Sequence, residues 1–87
     1  MMSHPYLVVI EPGSTNYSAY VPDLPGCVST GKTVEETIHN IKEAIEGHIE
    51  VMRADGDPIP APTTHHVDDV VPGDIETWIE VTPVPVS

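Results

Sequence analysis

Fourteen carboxylates and five histidines are spread along 87 residues, so the first question is whether any stand at a spacing that does chemistry. Glu11, Asp23 and Glu43 would need to converge on a pair of divalent cations to support two-metal hydrolysis of a phosphodiester. Yet this many acids in so short a chain produce such triplets by chance. Glu35, Glu36, Glu43, Glu46 and Glu50 read more simply as helix capping and a solvated helix face. The run His65-His66-Val67-Asp68-Asp69 puts two imidazoles beside two carboxylates, but adjacent side chains diverge, and no Cys-x-x-Cys or His-Glu-x-x-His spacing accompanies them. His39 and His48 flank a helical stripe. Cys27 and Ser29 have no motif marking either as a nucleophile, and a small cysteine in a strand is most simply a core residue. No glycine-rich phosphate loop occurs. The expectation is therefore no catalytic residue, no metal site and no cofactor.

The charge balance directs attention to a partner instead. Three basic residues, Lys32, Lys42 and Arg53, face 14 acids, giving a net charge of -11 and a pI near 4.4. Nucleic-acid affinity depends on neutralising phosphates with Lys and Arg, so direct DNA binding is not expected. A basic protein surface is the complementary partner, and the acidic field would speed its encounter. A chain of 87 residues makes one small domain, here residues 1–87. With no Phe its core must be aliphatic, and such a core is marginal enough that homodimerisation or a higher homo-oligomer is expected. The single cysteine allows no intramolecular disulfide. The short apolar run 6–10 follows no basic segment and is too short to span a membrane, so a cytoplasmic protein without membrane contact is expected.

The elements that would position these residues are legible in coarse outline. Residues 6–10 are a β-branched run that suits a strand covered on both faces. After a polar turn at 12–16, residues 17–21 alternate as a second, antiparallel strand, and residues 27–30 make a short third. Thr33-Val34-Glu35-Glu36 has the spacing of a capping box, with the Thr33 hydroxyl on the Glu36 amide and the Glu36 carboxylate returning to the Thr33 amide. Apolar residues then recur at Val34, Ile38, Ile41, Ala44, Ile45, Ile49 and Met52, the stripe of a helix ending near Asp55-Gly56. Gly47 weakens its middle and would leave room for another backbone. Residues 56–74 are rich in Pro, Asp, Thr and His, a long connection of the kind that is functional or pinned to a neighbour. Ile75, Thr77, Ile79 and Val81 alternate with polar residues as a last strand. The order βββαβ predicts an α+β fold, a mixed four-stranded sheet with one long helix on one face. A crossover through the helix would bring the fourth strand parallel to the first. The uncovered face would hold Tyr6, Val8, Ile10, Tyr20 and Trp78.

Between the second and third strands stands Pro22-Asp23-Leu24-Pro25-Gly26, a firmly fixed connection. Pro25-Gly26 suits the centre of a type II turn, where Gly supplies the positive φ, and Pro22 presets φ at the strand exit. Asp23 is suited to accepting hydrogen bonds from turn amides. Gly31 gives the bend into the helix.

These motifs together resemble a known family. The stretch YVPDLPGCVSTGKTVEETIHNIKEAIEGHIE, followed by GDPIPAP, resembles the HicB antitoxins in its Val-Pro-Asp-Leu-Pro-Gly-Cys turn, its Gly-x-Thr-x-Glu-Glu start, its helix Asn and its Ile-Pro-x-Pro segment. The resemblance implies a partial ribonuclease-H-like βββαβ fold and an antitoxin that binds and occludes a small basic RNA-cleaving HicA-type toxin. Thr37 stands where the family usually has Ala. Members that repress their own operon carry a further DNA-binding module, and this chain reads as a short form without one. Toxin contacts are expected at Asp23, Ile59, Asp68, Asp69, Val70 and Val71. A stand-alone oligomeric scaffold or ligand-binding domain is the second reading, and a carboxylate-dependent nuclease the third.

Overall fold

The computed structural model describes residues 4–63 and 71–81, with His4 and Val81 described as backbone only. Strands β1 (His4–Pro12), β2 (Tyr17–Tyr20) and β3 (Val28–Gly31) lead into helix α1 (Val34–Ala54), and β4 (Ile75–Val81) follows. They form an α+β unit with one four-stranded sheet in the order β3-β2-β1-β4. Every neighbouring pair is antiparallel. The expected mixed sheet is thus corrected at one strand: β4 runs against β1, with Ile75 opposite Ile10 and Val81 opposite His4.

The reason lies in the long connection. Helix α1 starts beside the end of β3 and runs back along it, and just beyond it the Tyr6 hydroxyl donates to the Pro60 carbonyl at 2.5 Å. The chain therefore leaves the helix at the end of the sheet where β1 begins, whereas β4 enters beside Ile10 at the other end. A parallel β4 would have needed only a tight turn. β4 instead begins at the far end of β1, so the connection has to span the length of that strand, roughly 20 Å at ~3.3 Å per residue.

The sheet register decides which side chains meet the helix. Tyr6, Val8 and Ile10 of β1 join Ala19, Val21, Leu24, Cys27 and Ile79 in one buried cluster with Ile41, Ile45 and Ile49 of α1. The expectation that Tyr6, Val8 and Ile10 line the uncovered face is therefore wrong, because a continuous apolar run has no alternation from which to read the face. Leu7 and Val9 occupy that other face, opposite Trp78 and Tyr20 respectively, and are fully buried. A fully buried Ile or Leu contributes ~1.5–3 kcal/mol, so the helix stripe is the main source of tertiary stability.

The helix ends are closed by local chemistry. The Thr33 hydroxyl accepts from the Glu36 amide at 3.0 Å, as the capping box predicts. The return bond is shifted by one residue, since the Glu36 carboxylate accepts from the Lys32 amide at 3.2 Å rather than from Thr33. At the other end Gly56 has φ +75, Gly56 N donates to Arg53 O at 3.1 Å, and Asp57 N donates to Met52 O at 2.9 Å. This is a Schellman closure around a left-handed glycine. Between strand and helix, Gly31 is buried against Thr37, where a Cβ would stand 2.6 Å from the Thr37 amide nitrogen. Close approach, rather than a special φ, requires glycine there.

Candidate functional site

The segment 21–27 is built from two successive turns. Leu24 N donates to Val21 O at 3.0 Å, and Cys27 N donates to Leu24 O at 3.0 Å, with Gly26 at φ +84. The second is the type II turn that Pro25-Gly26 predicts. Val21 N also donates to Cys27 O at 3.3 Å, closing the excursion at its base. The geometry drives Leu24 into the core, where it is fully buried. Across the turn lies the segment after the helix: Thr63 Oγ1 donates to Asp23 Oδ1 at 3.4 Å, and Tyr6 holds Pro60. The firm backbone of 22–26 thus docks the return segment. Burial raises the Tyr6 hydroxyl above its ordinary pKa, with the nearby Asp23 carboxylate adding to the shift. Burial likewise raises the Cys27 thiol.

The acids do not converge. Glu11 pairs with Ser18 on the sheet face away from the helix, Glu43 is exposed on the outer side of α1, and Asp23 lies in the turn. Among the described residues no group of three or more His, Cys, Asp or Glu could hold a metal ion. His39 Nε2 stands 3.6 Å from Glu43 Oε1, one turn along the helix, an exposed surface pair. Among the described residues no helix is long and apolar enough to cross a membrane.

What the fold does present is surface for partners. The face away from α1 carries Trp78, 51% exposed, with Tyr20 and Val28, and Glu11, Glu76 and Glu80 share that face. No Lys or Arg occupies a strand position on it. Beside the β3 edge runs a second feature, an open groove of about 380 Å³ between the strand and α1, lined among others by Val28, Ala44, Gly47, His48 and Val51. Among the described residues no side chain fills the space at Gly47, where an added Cβ would meet nothing within 4 Å. The close approach expected at that glycine is absent among the described residues.

The residues expected to touch a partner are dispersed. Ile59 and Val71 are exposed, but Ile59 adjoins Pro60 at the Tyr6 end of β1, while the Val71 turn lies near Pro12 at the other. Asp23 is occupied by the return segment. Asp68, Asp69 and Val70, like His65 and His66, lie outside the described residues. The groove at Gly47 was not anticipated, although an unexplained glycine in the middle of a helix was its signal.

Comparison with known proteins adds independent findings. Residues 6–82 match the family described as HicB_like antitoxin of bacterial toxin-antitoxin system. An uncharacterized 14.9 kDa protein from the rep-hol intergenic region of Haemophilus phage HP1 is 46% identical over 55 residues, which is 63% of this chain and 41% of that protein. A UPF0150 protein of Helicobacter pylori is 53% identical over 47 residues, 54% of this chain and 65% of the other. The chain thus spans less than two thirds of either relative. Among solved structures, a chain of the HicA3 and HicB3 toxin-antitoxin complex superposes with a TM-score of 0.74 at 30% identity, covering 91% of this chain and 99% of that one. The N-terminal domain of the Burkholderia pseudomallei antitoxin HicB gives 0.74 at 27% identity, with the same coverage.

Proposed function

The chain belongs to the HicB-like antitoxin family of bacterial toxin-antitoxin systems, and from that premise we propose that it binds a small basic RNA-cleaving toxin of the HicA type and inhibits it by occlusion. The observation that carries the proposal is the match, over nearly the whole of both chains, to a chain of the HicA3 and HicB3 complex. Physical features of this molecule agree with it. A net charge of -11 complements an RNA-binding surface, which must be cationic to hold phosphates. Trp78 stands exposed on a face that also holds Glu11, Glu76 and Glu80, and an exposed indole is a favoured anchor for Arg or Lys. Ile59 and Val71 remain apolar contacts in this proposal, and Asp23 is assigned to architecture because Thr63 already engages it.

The test mixes this protein with a HicA-type toxin and follows association and RNA cleavage together. Association should slow as salt rises, because exposed charges are screened over ~8 Å at physiological ionic strength. Dissociation should respond to Trp78→Ala, with roughly tenfold or greater loss of affinity if the indole anchors the complex. Failure to associate, or association with cleavage unabated, rejects occlusion and leaves the scaffold reading in its place.

A further inference from the structure

We propose that the outer edge of β4 takes up an extended cationic segment of the partner protein, added as a fifth strand beside Trp78 with Lys or Arg at every second position. The proposal rests on the antitoxin reading for the identity of the partner, and adds to it the place and the conformation in which the partner is held.

The first ground is the edge itself. β4 is a terminal strand of the sheet, and among the described residues no strand lies on its outer side. It runs for seven residues without a Pro, so its hydrogen-bond ladder can be continued. A segment added there would lie ~4.8 Å away and pair with the outward row of backbone groups.

The second ground is what stands along that edge. Glu76, Trp78 and Glu80 lie opposite Val9, Leu7 and Pro5 of β1 and share the face away from α1. Same-face neighbours on a strand are ~7 Å apart, so a carboxylate brackets the indole on either side at that distance. Trp78 is 51% exposed. Side chains directly opposite on an added strand would stand ~5 Å from these three. Cations at the outer two positions meet the carboxylates, and an Arg between them is drawn to the indole face. The alternate residues of the added strand turn to the helix side, beside the exposed Ile75 and the buried Ile79, and are therefore apolar.

The third ground is what the edge refuses. A second copy of this chain, paired antiparallel with indole opposite indole, would set Glu76 against Glu80 twice, and like charges directly opposite are destabilising. An acidic segment finds no Lys or Arg at any strand position, and Glu11 on the same face adds to the repulsion. The other sheet edge, β3, reads Val28-Ser29-Thr30-Gly31 and gives a cation no carboxylate to meet.

The experiment titrates the full chain with a peptide as long as β4, made of alternating arginine and valine, and follows the fluorescence of Trp78, the sole indole of the chain. Two further peptides carry backbone N-methyl groups, one on every arginine and one on every valine. In a strand the amides of alternate residues point to the same side, so only one of the two methylated peptides keeps the row that faces β4. The expected result is a saturable change in fluorescence, retained with one methylated peptide and lost with the other. Glu80→Lys, checked for folding by circular dichroism and followed by anisotropy of labelled peptide, should weaken binding ~10-fold or more. Glu46→Lys makes the same change in net charge on the exposed side of α1 and should weaken it less than ~2-fold. Two methylated peptides that behave alike, or equal losses in the two variants, reduce the contact to general charge attraction and overturn the proposal. A HicA-type toxin bound and inhibited as well by Glu80→Lys as by wild type also overturns it while leaving the antitoxin reading intact. A toxin that does not bind the wild type rejects that reading instead, and the paired peptides then decide strand addition by themselves.

Discussion

Replacing Gly31 by alanine tests the junction between strand and helix. The added methyl would stand 2.6 Å from both the Thr37 amide nitrogen and Oγ1, and 2.9 Å from its Cα. Ordinary contact begins at 3.4 Å, so relief requires a displacement of about 0.8 Å. Two of the three obstructing atoms are backbone, and a rotamer change cannot supply that movement. The first turn of α1 must shift away from β3, against the Asn40 side-chain bond to Thr30 O at 2.9 Å and the Thr33 cap on Glu36 N at 3.0 Å. Overpacking of this kind costs ~1–3 kcal/mol, and loosening one or two bonds adds ~1 kcal/mol. Reduced freedom of the unfolded chain offsets ~0.4–1 kcal/mol. The expected net loss is about 2 kcal/mol, measured by urea unfolding followed at 222 nm, or ~10 °C in Tm. Thr37→Ala in the same background removes Oγ1 but leaves the amide and Cα in place, so it should restore only a part. A Gly31→Ala protein within ~0.5 kcal/mol of wild type, or full rescue by Thr37→Ala, would refute the steric account.

Three further outcomes follow from the same geometry. Tyr6→Phe should lose ~1 kcal/mol by removing the hydroxyl bond to Pro60 O, and amide exchange at residues 57–63 should quicken if that bond holds the segment. Because folding raises the pKa of Cys27 and of Tyr6, their neutral forms are favoured in the native state. Their contribution is complete below the ordinary values of 9.0 and 10.0 and is lost as pH rises through the folded ones, so urea midpoints should fall above about pH 9, and Tyr6→Phe should flatten the part of the fall above pH 10. The purified protein should show no shift of duplex DNA at moderate salt, three basic residues being too few to release many counterions, and a tight complex in that assay would contradict the charge argument.

What the sequence made legible was local. The Pro25-Gly26 turn needs only a fixed φ followed by a positive one, both set by residue type, and it formed as expected with Gly26 at φ +84. The helix was carried by a seven-residue apolar stripe and a Thr33 cap, and its bounds differ little from that reading. The non-local parts were not legible. Nothing in residues 6–10 tells which of Tyr6 or Leu7 meets the helix, since every position is apolar, and the β4 register settled it by placing Ile79 beside Tyr6. Asp23 finds Thr63 40 residues away. The direction of β4 had a signal that went unused, the length of residues 55–74, which exceeds what a parallel entry needs.

The charge of this chain makes the proposed toxin contact sensitive to salt, and that response tests the charge argument directly. Carboxylates on α1 and on the Trp78 face attract a cationic partner over a distance, so screening weakens that encounter. Raising salt from low to high should therefore shift a mixture with a basic toxin from the complex toward the free proteins. If association is indifferent to salt, the surface charges are not what selects the partner, and the clustering of Glu11, Glu76 and Glu80 around Trp78 has no functional content.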